Sequence, residues 1–185
     1  MNDECLRIHV EKEEAKVYSH PDFPSSLKPL AHQLLTLEII RNYFTGQKDE
    51  EYNLTEDFNQ YYRKKIPLVL VNIAGAGQGK TLAASAPIFR LKNLDSVIFS
   101  YPTNELIHDQ KQTIHGYIES FNAEHEVFEV NRPTLLQLRE ESPIRFKNQG
   151  AMWEHILSSF KKKIICTNPD ILYYSLIEKY AGTIV

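Results

Sequence analysis

Long apolar runs are missing from this chain of 185 residues. No stretch approaches the roughly 18 to 20 consecutive apolar residues that a membrane-spanning helix requires. Cysteine is scarce. Cys5 and Cys166 lie far apart without metal-ligand spacing, which argues against a thiolate metal site and makes a reduced, cytoplasmic setting the default expectation. An excess of positive charge is missing too, since 21 Lys and Arg face 24 Asp and Glu for a formal net charge of −3. That balance excludes a partner held by a broad basic field. It leaves open a local groove built from backbone N–H groups, hydroxyls and helix N-termini. Internal repeats and low-complexity tracts are absent. The acidic start, Met1-Asn2-Asp3-Glu4, leads into no apolar run and does not read as a signal peptide. What is present is ordinary globular composition, 42% apolar and 11% aromatic, enough for one domain with a sizeable core and too apolar for whole-chain disorder.

Patterning organises the chain. Leu6, Ile8 and Val10 alternate with Arg7 and His9 as in a short edge strand, and His20 to Ser26 form a turn-rich connector. Residues 1–26 therefore read as a lead-in to one domain over 27–185. From Pro29, the residues Leu30, Leu34, Leu37, Ile40 and Phe44 return to one side of a helix that Gly46 stops. Residues 47–65 mix acidic and basic clusters with Tyr52, Phe58, Tyr61 and Tyr62. They read as a surface loop and short helix, with a basic and aromatic nucleic-acid contact as the sharper alternative.

Leu68 to Ile73 is nearly continuously apolar, as expected of a strand buried on both faces. After a glycine-rich turn come a helix to about Leu91, a strand over Ser96–Tyr101 and a helix over Asn104–Phe121. A weaker strand covers Glu126–Val130. An amphipathic helix follows around Trp153, Ile156, Leu157 and Phe160, then a strand over Lys163–Thr167 and a last helix from Asp170 to about Lys179. This alternation predicts an α/β fold, a parallel sheet within a three-layer domain. Trp153 is expected in the core rather than stacked on a base. His108 is expected on the solvent side of its helix. The runs Arg63–Lys65 and Lys161–Lys163 read as solubilising charges beside apolar strands, with phosphate contact as the alternative.

The chemistry-bearing motif is Ala74-Gly75-Ala76-Gly77-Gln78-Gly79-Lys80-Thr81, a glycine turn entering a helix. Glycines let backbone N–H groups converge on phosphate oxygens where bulkier residues would block them. The helix start adds its positive dipole end, Lys80 is suited to the β- and γ-phosphates, and the Thr81 hydroxyl to Mg²⁺. Gly77, Gly79, Lys80 and Thr81 at this spacing would arise by chance on the order of once in several hundred chains of this length. ATP with Mg²⁺ is the expected cofactor pair.

Three further segments carry a resemblance. Tyr101-Pro102-Thr103-Asn104-Glu105-Leu106 follows one strand, and Cys166-Thr167-Asn168-Pro169-Asp170-Ile171-Leu172 includes the end of another. Pro29-Leu30-Ala31-His32-Gln33 lies upstream of the loop. With the loop itself, which has Ala74 at its first position, these resemble superfamily 2 helicases of the DEAD/DEAH-box kind, and most closely the CRISPR-associated helicases of type I-D systems. The resemblance spans about residues 20 to 175. It implies the first RecA-like lobe of a phosphate-loop NTPase, with Gln33 reading adenine and the loop from Ala74 to Thr81 holding ATP. It also implies that Pro102, Thr103 and Asn104, with Thr167, Asn168, Pro169 and Asp170, contact a nucleic-acid backbone. Single-stranded DNA is the expected partner ahead of RNA, with a CRISPR effector complex as a further one.

The sequence departs from that family in one respect. No carboxylate pair ends an apolar strand, and the expected Asp-Glu motif and second lobe are absent from the 185 residues, so the lobe reads as incomplete. Loss of a positioned acid typically costs about 10²–10⁴ in rate, so little turnover is expected from this polypeptide. The alternatives are a non-catalytic module that binds nucleotide or a partner protein and, further off, a phosphate-loop kinase. The kinase would have no use for Gln33, Thr103 or Thr167.

Overall fold

A computed structural model describes residues 16–45, 69–92, 94–144, 149–158 and 162–173. The expected strand at Leu6–Val10, the segment 47–65 and the last helix beyond residue 173 lie outside the described residues. The chain divides into two compact units, Met1–Asn93 and Leu94–Val185. The first unit takes in the turn-rich connector together with the helix that follows it.

In that first unit, Val17 pairs with Leu30 in an isolated antiparallel bridge, and the Tyr18 N–H donates to the Pro29 carbonyl at 2.9 Å. Helix α1, Ala31–Thr45, follows at once. It packs against helix α2, Lys80–Arg90, whose Ala83, Ser85 and Ala86 are small enough to let the two backbones approach. Leu34, Leu37 and Ile39 are buried on α1, and Leu82, Ala83, Ala86 and Ile88 on α2. The buried stripe of α1 is rotated from the one the leucine spacing suggests. Phe44 is 40% exposed, whereas Gln33, Glu38 and Asn42 face inward. Gln33 and Glu38 are tolerated there because they have partners, Gln33 in the backbone of Leu30 and Gly79 and Glu38 in Arg41. Arg41 is paired with both Glu38 and Asp22, and the Arg90 side chain donates to the Asp22 carbonyl.

The expected strand over Leu68–Ile73 is corrected by the structure. Leu68 lies outside the described residues. From Val69 to Gly75 the backbone has no regular structure, and Val69, Val71 and Ile73 are 78%, 80% and 76% exposed. An apolar run records a demand for burial, but a strand also needs a ladder partner for its N–H and C=O groups. Among the described residues no strand pairs with this one.

The second unit is mixed α/β and built on a three-stranded parallel sheet. Its strands are β1 (Ser96–Ser100), β2 (Glu126–Val130) and β3 (Lys163–Thr167), in spatial order β1-β3-β2. Helix α3, Asn104–Phe121, connects β1 to β2. Helices α4, Arg132–Glu141, and α5, Gln149–Leu157, connect β2 back to β3. The first connection crosses the sheet in one direction and the second returns. Right-handed crossovers therefore send α3 to one face and α4 with α5 to the other. Central β3 is buried throughout. Its Ile165 joins Val130, Leu135, Met152, Trp153 and Ile156 in the core cluster, while Ile164 and Cys166, of opposite parity, point to the other face. Trp153 is thus a core residue, and His108 is exposed, as expected.

Two features of this unit departed from expectation. Helix α4 was not read from the sequence. Asn131 caps it, with Oδ1 accepting from the Thr134 N–H at 3.0 Å, and Pro133 sits in the first turn where a missing N–H costs nothing. Lys163 is not a solvated gatekeeper. It lies within β3 at 2% exposure, and its ammonium donates to the carbonyls of Leu157 at 2.7 Å and Ile156 at 3.2 Å. It thereby satisfies the C-terminal end of α5.

Candidate functional site

The glycine turn lies in the first unit. Gly77 and Gly79 have φ of 74° and 68°, the left-handed region that side chains with a Cβ resist. Gly79 is needed twice over, because a Cβ there would meet the Gln33 Nε2 at 2.3 Å. Helix α2 begins immediately after, and its N-cap, Gly79, provides no side-chain hydrogen bond to the first turn. Gly79, with no side chain, leaves the capping position at the start of α2 unfilled, the arrangement that suits an anion.

Within the turn, Lys80 Nζ donates to the carbonyls of Ala74 at 2.7 Å and Gly75 at 3.0 Å. The Gly75 N–H donates to Gln78 Oε1 at 2.7 Å, and the Ala74 N–H to Asn72 Oδ1 at 3.0 Å. Gln78 was expected as part of the nucleotide-holding turn, though not as the acceptor for Gly75, and Asn72 was not singled out because the glycine pattern does not call for its residue type. Ala76 and Gln78 are exposed, and Thr81 is half-buried at the second position of α2.

A residue of α1 holds this turn. Gln33, 3% exposed, accepts from the Leu30 N–H through Oε1 at 2.8 Å and donates through Nε2 to the Gly79 carbonyl at 3.0 Å. Its amide is therefore engaged at both ends within the chain, and an adenine edge would have to take those bonds over. In its neighbour His32, burial above all, with the Lys80 charge adding to it, holds the imidazole below its ordinary pKa, the nearby Gln78 backbone working in the opposite direction.

His20, Asp22 and Glu38 bring ligating atoms within 4.8 Å of one another. The guanidinium of Arg41 is paired with both carboxylates, so the cluster reads as a structural ion-pair network rather than a cation site.

The other candidate residues lie in the second unit, at the carboxyl ends of β1 and β3. There the Tyr101 N–H donates to the Thr167 carbonyl at 2.8 Å, extending the ladder beyond β1. Thr103 caps α3, its hydroxyl accepting from the Leu106 N–H at 3.2 Å. Asn168 caps the helical turn over 169–173, accepting from the Ile171 N–H at 2.8 Å, and its Nδ2 reaches Asn104 Oδ1 at 3.3 Å. The two segments expected to act together are thus joined side chain to side chain. Pro102, Thr103, Asn104, Pro169 and Asp170 are exposed, whereas Thr167 is fully buried with its hydroxyl donating to the Val130 carbonyl at 2.7 Å. Thr167 therefore ties β3 to β2 through a hydroxyl that is buried and already bonded.

Beneath this end, Cys166 is fully buried. Burial pushes its thiol up to about 12, with Glu129 adding to the effect and Lys111 opposing it. Comparison with family models, with curated proteins and with solved structures returned no match.

Proposed function

We propose that the turn from Ala74 to Thr81 holds the phosphates of ATP with Mg²⁺, in the first RecA-like lobe of an ATP-dependent helicase or translocase of the superfamily 2 kind. The observation that carries the reading is the pair of left-handed glycines leading into an α2 start without a side-chain cap, with Lys80 folded over the same turn. This donor set fits a polyphosphate, with backbone N–H groups for its oxygens, an ammonium for its charge and a hydroxyl, Thr81, for a hard cation. ATP supplies phosphoryl-transfer energy. The residues here bind and orient it, and among the described residues no strand-end carboxylate pair stands ready to position water, so binding without appreciable turnover is expected.

The exposed helix starts at Thr103 and Asn168, joined through Asn104, suit contacts to phosphates and sugars along a single strand of nucleic acid without reading its bases. The resemblance drawn from the sequence makes that strand DNA and the setting CRISPR defence. A second reading, a non-catalytic module that docks a partner, is favoured by one feature, the exposed Val69, Val71 and Ile73.

The test is titration of the chain with ATP and Mg²⁺. Lys80→Ala is expected to weaken binding about tenfold or more, the usual weight of a hydrogen bond to a charged group. Binding indifferent to Lys80→Ala would overturn the phosphate-loop reading. Repeating the titration with single-stranded DNA separates the two readings, since a helicase lobe couples the ligands and a docking module does not.

A further inference from the structure

We propose that Gln78 is a built-in competitor for the phosphates, its side-chain oxygen holding the Gly75 N–H that a phosphate oxygen must take over. The inference rests on the phosphate-loop reading above and adds a device that regulates it. The Gln78 Oε1 lies 2.7 Å from the Gly75 nitrogen, and the Gln78 N–H is turned back toward the Gly75 carbonyl at 3.4 Å. The glutamine thus closes on the glycine three residues before it through both backbone and side chain. A Cβ at Gly75 would meet the Gln78 side-chain carbonyl carbon at 3.4 Å, ordinary van der Waals contact, which shows how closely the amide lies over the glycine. The Gly75 carbonyl, facing the other way, accepts from Lys80, so closure by Gln78 and retention of the Lys80 ammonium act on the same peptide segment.

The backbone on which Gln78 sits is held from α1. Gln33 bonds the carbonyl of Gly79, the next residue. The main chain beside Gln78 is therefore anchored while its side chain is exposed. A polyphosphate entering the turn displaces a neutral amide oxygen by a charged one, a stronger acceptor for the same N–H. The glutamine consequently lowers affinity without blocking the site. It sets the nucleotide concentration at which the turn opens.

Removing this acceptor is expected to tighten ATP binding about three- to tenfold, the weight of one neutral hydrogen bond that no longer has to be broken. The experiment compares the full chain with Gln78→Ala and Gln78→Met, titrating each with ATP and Mg²⁺ and separately with inorganic pyrophosphate, and uses circular dichroism to verify the fold. Both variants tightening for both ligands is the expected result, since the competitor acts on phosphate alone. Tightening for Gln78→Ala but not Gln78→Met would make side-chain bulk the obstacle and overturn the inference. Tightening for ATP but not pyrophosphate would move the effect to the base or ribose, with the same consequence. If Lys80→Ala abolishes binding while both Gln78 variants match the parent, the phosphate-loop reading stands and this inference falls. If no form binds either ligand, the phosphate-loop reading fails and takes the inference with it.

Discussion

Gly79→Ala is expected to destabilise the first unit by about 2–4 kcal/mol, against about 1–2 kcal/mol for Gly77→Ala. The two glycines have nearly the same left-handed backbone, so an alanine suffers the same conformational penalty at either place. Their surroundings differ. Around Gly77 a new methyl meets nothing within 4 Å, whereas at Gly79 it meets the Gln33 amide nitrogen at 2.3 Å. To make room, Gln33 must give up its bond to the Gly79 carbonyl and turn its amide within a site where it is 3% exposed. Chemical denaturation of the two variants checks this. Equal costs would show that the grip of α1 on the turn carries no energy. The functional consequence follows from the same contact, because whatever moves Gly79 moves Gln33 and the start of α1.

The second large effect is expected at Lys163, in the other unit. Lys163→Ala should cost about 2–4 kcal/mol, part from the void left by a four-carbon stem and part from two helix carbonyls losing their donor. Lys163→Met keeps the stem and loses only the ammonium, so about half that cost is expected. Lys162, half-buried beside it, is the control. If Lys163→Ala destabilises no more than Lys162→Ala, the bonds to Ile156 and Leu157 are not what orders the end of α5. The arrangement also explains how a charged residue can occupy the first position of a fully buried strand. The ammonium completes the C-terminal turn of a neighbouring helix, the end at which the helix dipole favours a cation.

How far the fold was legible varied with the kind of signal. The strand at Lys163–Thr167 and the helices at Lys80–Arg90 and Asn104–Phe121 follow from apolar periodicity, because their burial comes from neighbours in the same unit, and the strand at Ser96–Ser100 forms because Lys163–Thr167 supplies its ladder. Val69 to Ile73 carries an equally strong signal and forms no strand, since composition does not say which chain supplies the partner. Helix α4 was hidden by its charge, with five of its ten residues being Arg, Gln or Glu and only Leu135 buried. Its cap, Asn131 followed by Pro133, was the available clue.

At the candidate site, the glycine spacing foretold the left-handed turn at Gly77 and Gly79 that leads into α2. Thr167 was less legible. The resemblance made its hydroxyl a ligand contact, but at the end of a central strand the nearer acceptor is the Val130 carbonyl of β2, and the buried hydroxyl takes it. Gln33 shows the same limit from the other side. The resemblance made it an adenine reader, while its bonding to Leu30 and Gly79 depends on a turn geometry that no residue spacing encodes.

The burial of Cys166 makes the sheet its own stopwatch. A thiol pushed up to about 12 is only about one ten-thousandth thiolate at pH 8, and at 0% exposure no alkylating reagent reaches it through the closed structure. With Cys5 replaced by serine, the remaining thiol should react only when β3 parts from its neighbours. The labelling rate then reads the opening equilibrium of the second unit directly, in native buffer and without denaturant. Lys163→Ala should quicken it and Gly79→Ala should not. One cysteine thus separates the fortunes of the two units in a single tube.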